Sequence, residues 1–200
     1  MAELRLHDMR MHTSALGPGV RAAIWFQGCN KRCPGCMSPK SRDPEGGHLV
    51  STDNVINAVL NTHDIEGITI SGGEPFLQID ALHEIIVKIK RNTDLGVIIY
   101  TGLTIDDLRK MNNPKVDEII NGLADLIIDG EYVDELNDGK SLRGSSNQNI
   151  NFITDRYKEY ADLYGNDTRK AEVFIEGDEA FFVGIPDKES LEGWKNIGKQ

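Results

Sequence analysis

All three cysteines of this 200-residue chain lie within eight residues, at Cys29, Cys33 and Cys36, with the spacing Cys-x3-Cys-x2-Cys. Three thiols so close along the chain cannot be distributed through a hydrophobic core, so we expect them to meet at one point. Three thiolates would occupy three corners of a soft-metal site and leave the fourth corner open. An open corner distinguishes a reactive site from a closed structural one.

The same spacing allows other interpretations. Cys33 and Cys36 could form a redox pair, although such a pair does not need Cys29. A zinc site would need a fourth ligand, and His48 is the only close candidate after the cysteines. Because iron–sulfur clusters are held by closely spaced cysteines, we favour an iron–sulfur cluster over zinc, and both over chance.

The composition narrows the class of protein. A net charge of −10 argues against a nucleic-acid partner, which needs clustered Lys and Arg side chains. We find no apolar run of membrane-spanning length and no apolar signal-peptide core at the N-terminus. The clustered cysteines do not resemble a secreted disulfide framework. We therefore predict one domain over residues 1–200 in the cytoplasm, without a nucleic-acid or membrane partner.

Short apolar segments are predicted to form four strands, over residues 20–26, 67–70, 97–100 and 126–128. Between them we predict helices capped by Thr52 and by Asp80, a short helix capped by Thr104 and Asp107, and another over residues 116–120. Further helical structure is predicted over residues 155–164, and a terminal strand pair over residues 173–175 and 181–185.

The alternation of strands and helices indicates βαβ units and a parallel sheet. A closed eight-stranded (β/α) barrel needs about 250 residues. We therefore predict an α/β fold, namely a partial, open (β/α) barrel with a C-terminal strand pair.

Unusual sequences follow each of the four predicted strands. They are the loop with the three cysteines (residues 28–36, called the cysteine loop below), Gly72-Gly73-Glu74, Thr101-Gly102 and Asp129-Gly130. Because ligands gather at the carboxyl ends of parallel strands, we expect all four segments on one rim. The two adjacent glycines would let a ligand lie against the backbone. The alternatives are a tight turn with an exposed glutamate, and an Asp-Gly pair that only ends a strand.

The cysteine spacing together with the Ser-Gly-Gly-Glu-Pro sequence over residues 71–75 resembles the radical S-adenosylmethionine superfamily. The resemblance implies one 4Fe–4S cluster per chain, held by Cys29, Cys33 and Cys36. It also implies that the fourth iron binds the amino and carboxylate groups of S-adenosylmethionine. The segment Gly72, Gly73 and Glu74 would contact the same amino group.

Other segments resemble the activating enzymes of glycyl radical enzymes within this superfamily. These are the Gly-Pro-Gly sequence over residues 17–19, the Pro-Gly pair before Cys36, and Arg-Gly-Ser-Ser-Asn-Gln over residues 143–148. The resemblance implies that Gly35, Cys36 and Met37 contact the adenine, although Met37 stands where these enzymes usually have an aromatic residue. Thr101 and Asp129 could hold the ribose or a monovalent cation, and residues 143–148 could bind cofactor or partner or be only a polar loop.

The resemblance also implies a reaction. One electron, delivered by a flavodoxin or ferredoxin type donor, cleaves S-adenosylmethionine to methionine and a 5′-deoxyadenosyl radical. That radical removes a hydrogen from a glycine Cα of anaerobic ribonucleotide reductase or another glycyl radical enzyme. The five histidines are scattered, so we predict no catalytic side chain beyond the cluster and its cofactor.

Two alternatives remain at this point: a radical enzyme acting on a small molecule such as a deazapurine or pterin, and a non-catalytic iron–sulfur or zinc module. For the activating enzyme, we expect Gly73→Val to block S-adenosylmethionine and leave the cluster intact.

Overall fold

The computed structural model describes residues 2–140, 142–162 and 169–197. Its main feature is an open sheet of seven strands in the order β3-β1-β2-β4-β5-β6-β7. The strands are β1 Glu3–Thr13, β2 Arg21–Phe26, β3 His48–Ser51, β4 Gly67–Gly72, β5 Gly96–Tyr100, β6 Leu126–Asp129 and β7 Asn149–Phe152.

The four central strands β2, β4, β5 and β6 are parallel, while β1, β3 and β7 pair antiparallel at the two sides. The predicted parallel sheet and its four strands are confirmed. Over the described residues the sheet does not close into a barrel, because β3 and β7 remain its two edges. The fold is therefore mixed α/β, with three antiparallel strands that the sequence analysis missed.

Helices cover one face of the sheet. Their bounds are α1 Thr52–Leu60, α2 Ile79–Asn92, α3 Ile105–Lys110 and α4 Pro114–Glu118. Apolar residues of α1 and α2, such as Val55 and Ile85, pack with alternate strand residues such as Ile70 in the main core. A strand pair of β8 Ala171–Glu176 and β9 Glu179–Gly184 follows, as predicted, and then α5 Lys188–Ile197.

The caps of two helices precede the predicted residues, by one residue in α1 and by two in α2. Ser51, not Thr52, caps α1, because its hydroxyl accepts a hydrogen bond from the Asn54 N–H at 3.3 Å. Asp80 lies inside the first turn of α2 and forms an ion pair with Lys115 at 2.6 Å. The capping box predicted for α3 is present.

The helix predicted over residues 155–164 is confirmed only in part. The structure has a bend and turns over residues 155–157 and a 3-10 turn at Lys158–Tyr160, whereas Ala161 and Asp162 are α-helical, and residues 163 and 164 lie outside the described residues. In the part of the chain that the structure describes, no helix is long and apolar enough to cross a bilayer.

A buried arginine organises the end of the sheet opposite the predicted rim. Arg21 is fully buried at the start of β2, where it forms an ion pair with Glu66 and donates to the Tyr157 hydroxyl at 2.8 Å. It also donates to the carbonyl oxygens of Ile68 at 2.7 Å and Gly96 at 3.1 Å. One guanidinium thus ties β2, β4 and β5 to the segment after β7.

We predict that Arg21→Met lowers the free energy of unfolding by about 3 kcal/mol, since it strips several buried acceptors of their donor. Chemical denaturation followed by circular dichroism measures this. The control is Arg109→Met on exposed α3, for which we expect about 0.5 kcal/mol or less. Equal stability of the two variants would contradict the role given to Arg21.

Candidate functional site

A cavity lies at the carboxyl ends of the four parallel strands. All three cysteines line it, together with the Gly-Gly-Glu turn after β4 and the residues that follow β5 and β6. Of the residues predicted for the site, Cys29, Cys33, Cys36, Met37, Gly72, Gly73, Glu74 and Thr101 line this cavity. The loop segments that follow four separate strands therefore meet at one rim.

The three thiols are half-buried, and none is part of a disulfide. The Cys29 sulfur accepts a hydrogen bond from the Lys31 N–H at 3.3 Å, and the Cys33 thiol donates to Glu131 Oε1 at 3.5 Å. Burial raises the pKa of the Cys29 thiol, and burial with the Glu131 carboxylate raises the pKa of Cys33 to about 11. Metal binding at these thiols must therefore release protons.

The donor set fits an iron–sulfur cluster, because three free thiols face one cavity and their loop contributes no other metal-ligating side chain. Within the described ranges, however, no three His, Cys, Asp or Glu side chains already stand in a metal-binding arrangement. The cysteine side chains must turn toward one another when a cluster is bound.

The Gly-Gly-Glu turn is joined to the start of the cysteine loop by its backbone. The Gly73 N–H donates to the Phe26 carbonyl at 2.7 Å, and the Glu74 N–H donates to the Gly28 carbonyl at 2.8 Å. The Gly28 N–H in turn donates to the Ser41 carbonyl at 2.7 Å, which closes the loop behind the cysteines. The two motifs form one structural unit.

This close approach explains both glycines. Gly72 has a φ of +106°, which favours glycine, and a Cβ there would overlap the backbone of Phe26. A Cβ on Gly73 would overlap the Gly28 carbonyl and lie 2.9 Å from the Ser41 carbonyl. A side chain at position 73 would therefore displace the cysteine loop itself, so the expectation that Gly73→Val leaves the cluster intact is not supported.

Glu74 is buried, so the alternative of an exposed glutamate is wrong. Its Oε1 accepts hydrogen bonds from the Thr101 hydroxyl at 2.8 Å and the Phe76 N–H at 3.2 Å, and its Oε2 accepts from the Gly102 N–H at 2.8 Å. Burial raises the pKa of this carboxyl, while its three donors and Lys31 act in the opposite direction. Glu74 thus connects the ends of β4 and β5 beneath the cavity.

Asp129 and Gly35 do not line the cavity. Asp129 is buried and accepts from the Ile105 N–H at 2.7 Å and from Asn149 Nδ2 at 2.9 Å, contacts that fit the strand-ending alternative. Gly35 has a φ of +71°, and a Cβ there would overlap Asp134, so this turn of the cysteine loop packs against the segment after β6. Cofactor contacts by these two residues stay predictions.

The segment over residues 143–148 braces that neighbouring loop. Gln148 accepts from the Gly144 N–H and donates to the Gly130 carbonyl, each at 2.7 Å. Asn147 Nδ2 donates to the Glu131 carbonyl at 2.9 Å, and the Ser145 hydroxyl accepts from the Val133 N–H at 3.1 Å. These polar side chains hold the loop after β6 against the cysteine loop.

The cavity also has walls that the sequence analysis did not identify, including Leu16, Trp25, Ser71, Tyr100 and Ile185. Trp25 pairs with Ser71 in the sheet, and Tyr100 pairs with Ile128. Period-two alternation from Ile98 could have placed Tyr100 on this face. The Tyr100 hydroxyl oxygen is buried and has no hydrogen-bond partner in the described residues, and burial raises the pKa of this group.

Comparison with known proteins defines the class. The model of the family described as "4Fe-4S single cluster domain" matches residues 15–151, which is more than half of the chain. The chain belongs to this family, and it is an iron–sulfur protein.

Individual relatives point to a more specific class of protein than the family model does. The chain is 28% identical to the anaerobic ribonucleoside-triphosphate reductase-activating protein of Enterobacteria phage T4, over 70% of this chain and 88% of that relative. It is also 28% identical to the protein of that name from Escherichia coli K12, over 68% and 91%. A pyruvate formate-lyase-activating enzyme of Staphylococcus epidermidis is 28% identical over 67% of this chain and 55% of its own length.

The resemblance to radical S-adenosylmethionine activating enzymes is thereby confirmed. These relatives do not favour a small-molecule enzyme or a non-catalytic module.

The contact between the two motifs leads to a prediction. Gly73→Ala is expected to reduce the cluster content after anaerobic reconstitution by more than half, because its Cβ overlaps the Gly28 carbonyl. Iron and sulfide analysis and visible absorption measure this content.

The matched control is Gly102→Ala. A Cβ there has its nearest neighbours at 3.5 Å, an ordinary contact, so cluster content should equal that of the unmodified protein. A full complement of iron in the Gly73 variant would show that the overlap does not constrain the loop.

Proposed function

We propose that this protein is a radical S-adenosylmethionine activating enzyme that generates a glycyl radical on anaerobic ribonucleotide reductase. One observation carries the proposal: the thiols of Cys29, Cys33 and Cys36 line the same cavity as the Gly-Gly-Glu turn. The names of the relatives supply the partner, a glycyl radical enzyme.

The cysteines would hold the 4Fe–4S cluster and leave one iron open to the amino and carboxylate groups of S-adenosylmethionine. When bound, this pair supplies a 5′-deoxyadenosyl radical on addition of one electron. The chain would position it: the buried Glu74 carboxyl lies in the wall of the cavity, where it would accept a hydrogen bond from the amino group. The backbone from Gly35 to Met37 would face the adenine.

The open sheet suits a protein substrate. Because its edges β3 and β7 do not meet, we propose a partial (β/α) barrel whose open side admits a glycine-bearing loop. The glycine Cα must come into near contact with the 5′ carbon, so docking must deliver a loop into the cavity. A hydrogen atom would then be transferred from that Cα to the cofactor radical, which would give 5′-deoxyadenosine and leave a glycyl radical on the partner.

The remaining parts of the proposal concern the setting. Residues 1–200 would act as a single domain in the cytoplasm, with a flavodoxin or ferredoxin type protein as the electron donor. No nucleic acid or membrane takes part.

Tyr100 allows a test of what the cavity binds. Its buried hydroxyl lacks a partner, so Tyr100→Phe should leave the free energy of unfolding unchanged or raise it. If S-adenosylmethionine supplies the missing acceptor, the same variant should bind it about threefold to tenfold more weakly. Anaerobic equilibrium dialysis gives the Kd, and unchanged affinity would mean that the cofactor does not contact Tyr100.

The function itself is tested by mixing the reduced protein, S-adenosylmethionine and an anaerobic ribonucleotide reductase from the same source, and recording the EPR spectrum. We expect a doublet on the reductase that collapses when its C-terminal glycine carries deuterium at Cα. Cys29→Ala, which removes one cluster ligand, should give no doublet and no 5′-deoxyadenosine.

Turnover of a purine or pterin without a protein radical would overturn the proposal. Normal cofactor cleavage by Cys29→Ala would instead show that the three-thiolate assignment is wrong.

A further inference from the structure

The segment around the cysteines has an unusual charge. Residues 27–42 contain four basic side chains, Lys31, Arg32, Lys40 and Arg42, and no acidic one, in a chain whose net charge is −10. Residues 27–42 are therefore a local positive region on an acidic protein. A charged patch of this kind attracts partners of opposite sign and raises their rate of encounter.

Most basic side chains elsewhere are neutralised by a carboxylate. Lys88 is 2.6 Å from Asp53, and Lys115 is 2.6 Å from Asp80, for example. In the cysteine loop, Lys31 pairs with Glu131 at 3.4 Å.

The other three cations of residues 27–42 are Arg32, Lys40 and Arg42. They have no carboxylate within ion-pair distance among the described residues. Arg32 Nη1 donates only to the carbonyl oxygens of Cys29 and Lys31, both at 3.1 Å. Arg42 Nε donates to the Pro39 carbonyl at 3.4 Å. Arg32 and Lys40 are exposed, and Arg42 is half-buried. We call these three side chains the basic patch.

The nearest acidic residues in sequence cancel only part of this charge. Glu45 forms an ion pair with Arg5 at 3.3 Å. Asp43 is exposed and accepts a hydrogen bond from the Glu45 N–H at 3.0 Å, so its negative charge offsets one of the three positive charges. The basic patch therefore keeps an excess of positive charge at the surface.

The patch also lies at the redox centre. Arg32 directly precedes Cys33, and Arg42 lines the same cavity as the thiols. Electron transfer slows steeply with distance, so a protein that reduces a cluster here must approach this loop. A partner attracted by the patch would be brought close to the thiols.

We propose that the basic patch is the docking surface for an acidic electron-donor protein, one that carries carboxylates around a low-potential one-electron centre. This rests on the proposed function, which requires a reduced cluster. One electron passes from the donor, which is oxidised by one electron, to the 4Fe–4S cluster, which is reduced by one electron. No bond is formed or broken between the two proteins.

The test measures reduction of the reconstituted protein by a reduced acidic flavodoxin in an anaerobic stopped-flow experiment, followed as bleaching of the cluster absorption. We expect the second-order rate constant for Arg32→Gln/Lys40→Gln to be about tenfold lower at low salt, and its dependence on salt to be much weaker. Photoreduced 5-deazariboflavin, a small uncharged reductant, should reduce both proteins at the same rate.

The charge-matched control is Arg109→Gln/Lys110→Gln. Both residues lie in the last turn of α3, each forms an ion pair within that helix, and neither lines the cavity, so the rate should stay within about twofold of the unmodified protein. An equal loss in this control would mean that net charge acts, and not the patch. That result would overturn the proposal.

Unchanged reduction of Arg32→Gln/Lys40→Gln by flavodoxin, with the same salt dependence, would also overturn it. So would normal reduction with a selective loss of reductase binding, since the patch would then dock the substrate protein. The rate of cluster reduction does not depend on S-adenosylmethionine cleavage, so failure of the proposed function would be seen separately.

Discussion

The site depends on two backbone hydrogen bonds between neighbouring parallel strands. The N–H groups of Gly73 and Glu74 donate to the carbonyl oxygens of Phe26 and Gly28, across the ends of β4 and β2. They bring the Gly-Gly-Glu turn and the cysteine loop into contact before any ligand is present. Only glycine at positions 72 and 73 permits this approach, since any Cβ there would overlap the backbone of the cysteine loop or of β2.

Buried polar contacts extend this unit around the rim. Glu74 connects it to β5 through the Thr101 hydroxyl and the Gly102 N–H. Gln148 reaches the Gly130 carbonyl at the end of β6. Because unmade hydrogen bonds in a buried site are costly, each contact restricts the rim to one arrangement. The three cysteine side chains are less restricted, and under the proposed function they would turn toward one another to hold a cluster.

The sequence predicts the central features because their signals are local. Apolar, β-branched segments identify the parallel strands, and the rule that loops at their carboxyl ends share a rim places the motifs together. The antiparallel strands β1, β3 and β7 were missed because charged and polar residues interrupt their apolar pattern, as in residues 3–13. The role of residues 143–148, the contacts of Asp129 and the reason for Gly73 depend on partners distant in sequence, so only the structure shows them.

The central claim is that this rim places S-adenosylmethionine on an iron atom that three cysteines leave open. Electron–nuclear double resonance of the reduced protein tests it most directly, with the cofactor labelled with ¹⁵N in its amino group and ¹⁷O in its carboxylate. We predict hyperfine coupling of both labels to the cluster. Bound cofactor without coupling from either label would contradict it, since the cluster and the cofactor site would then be separate.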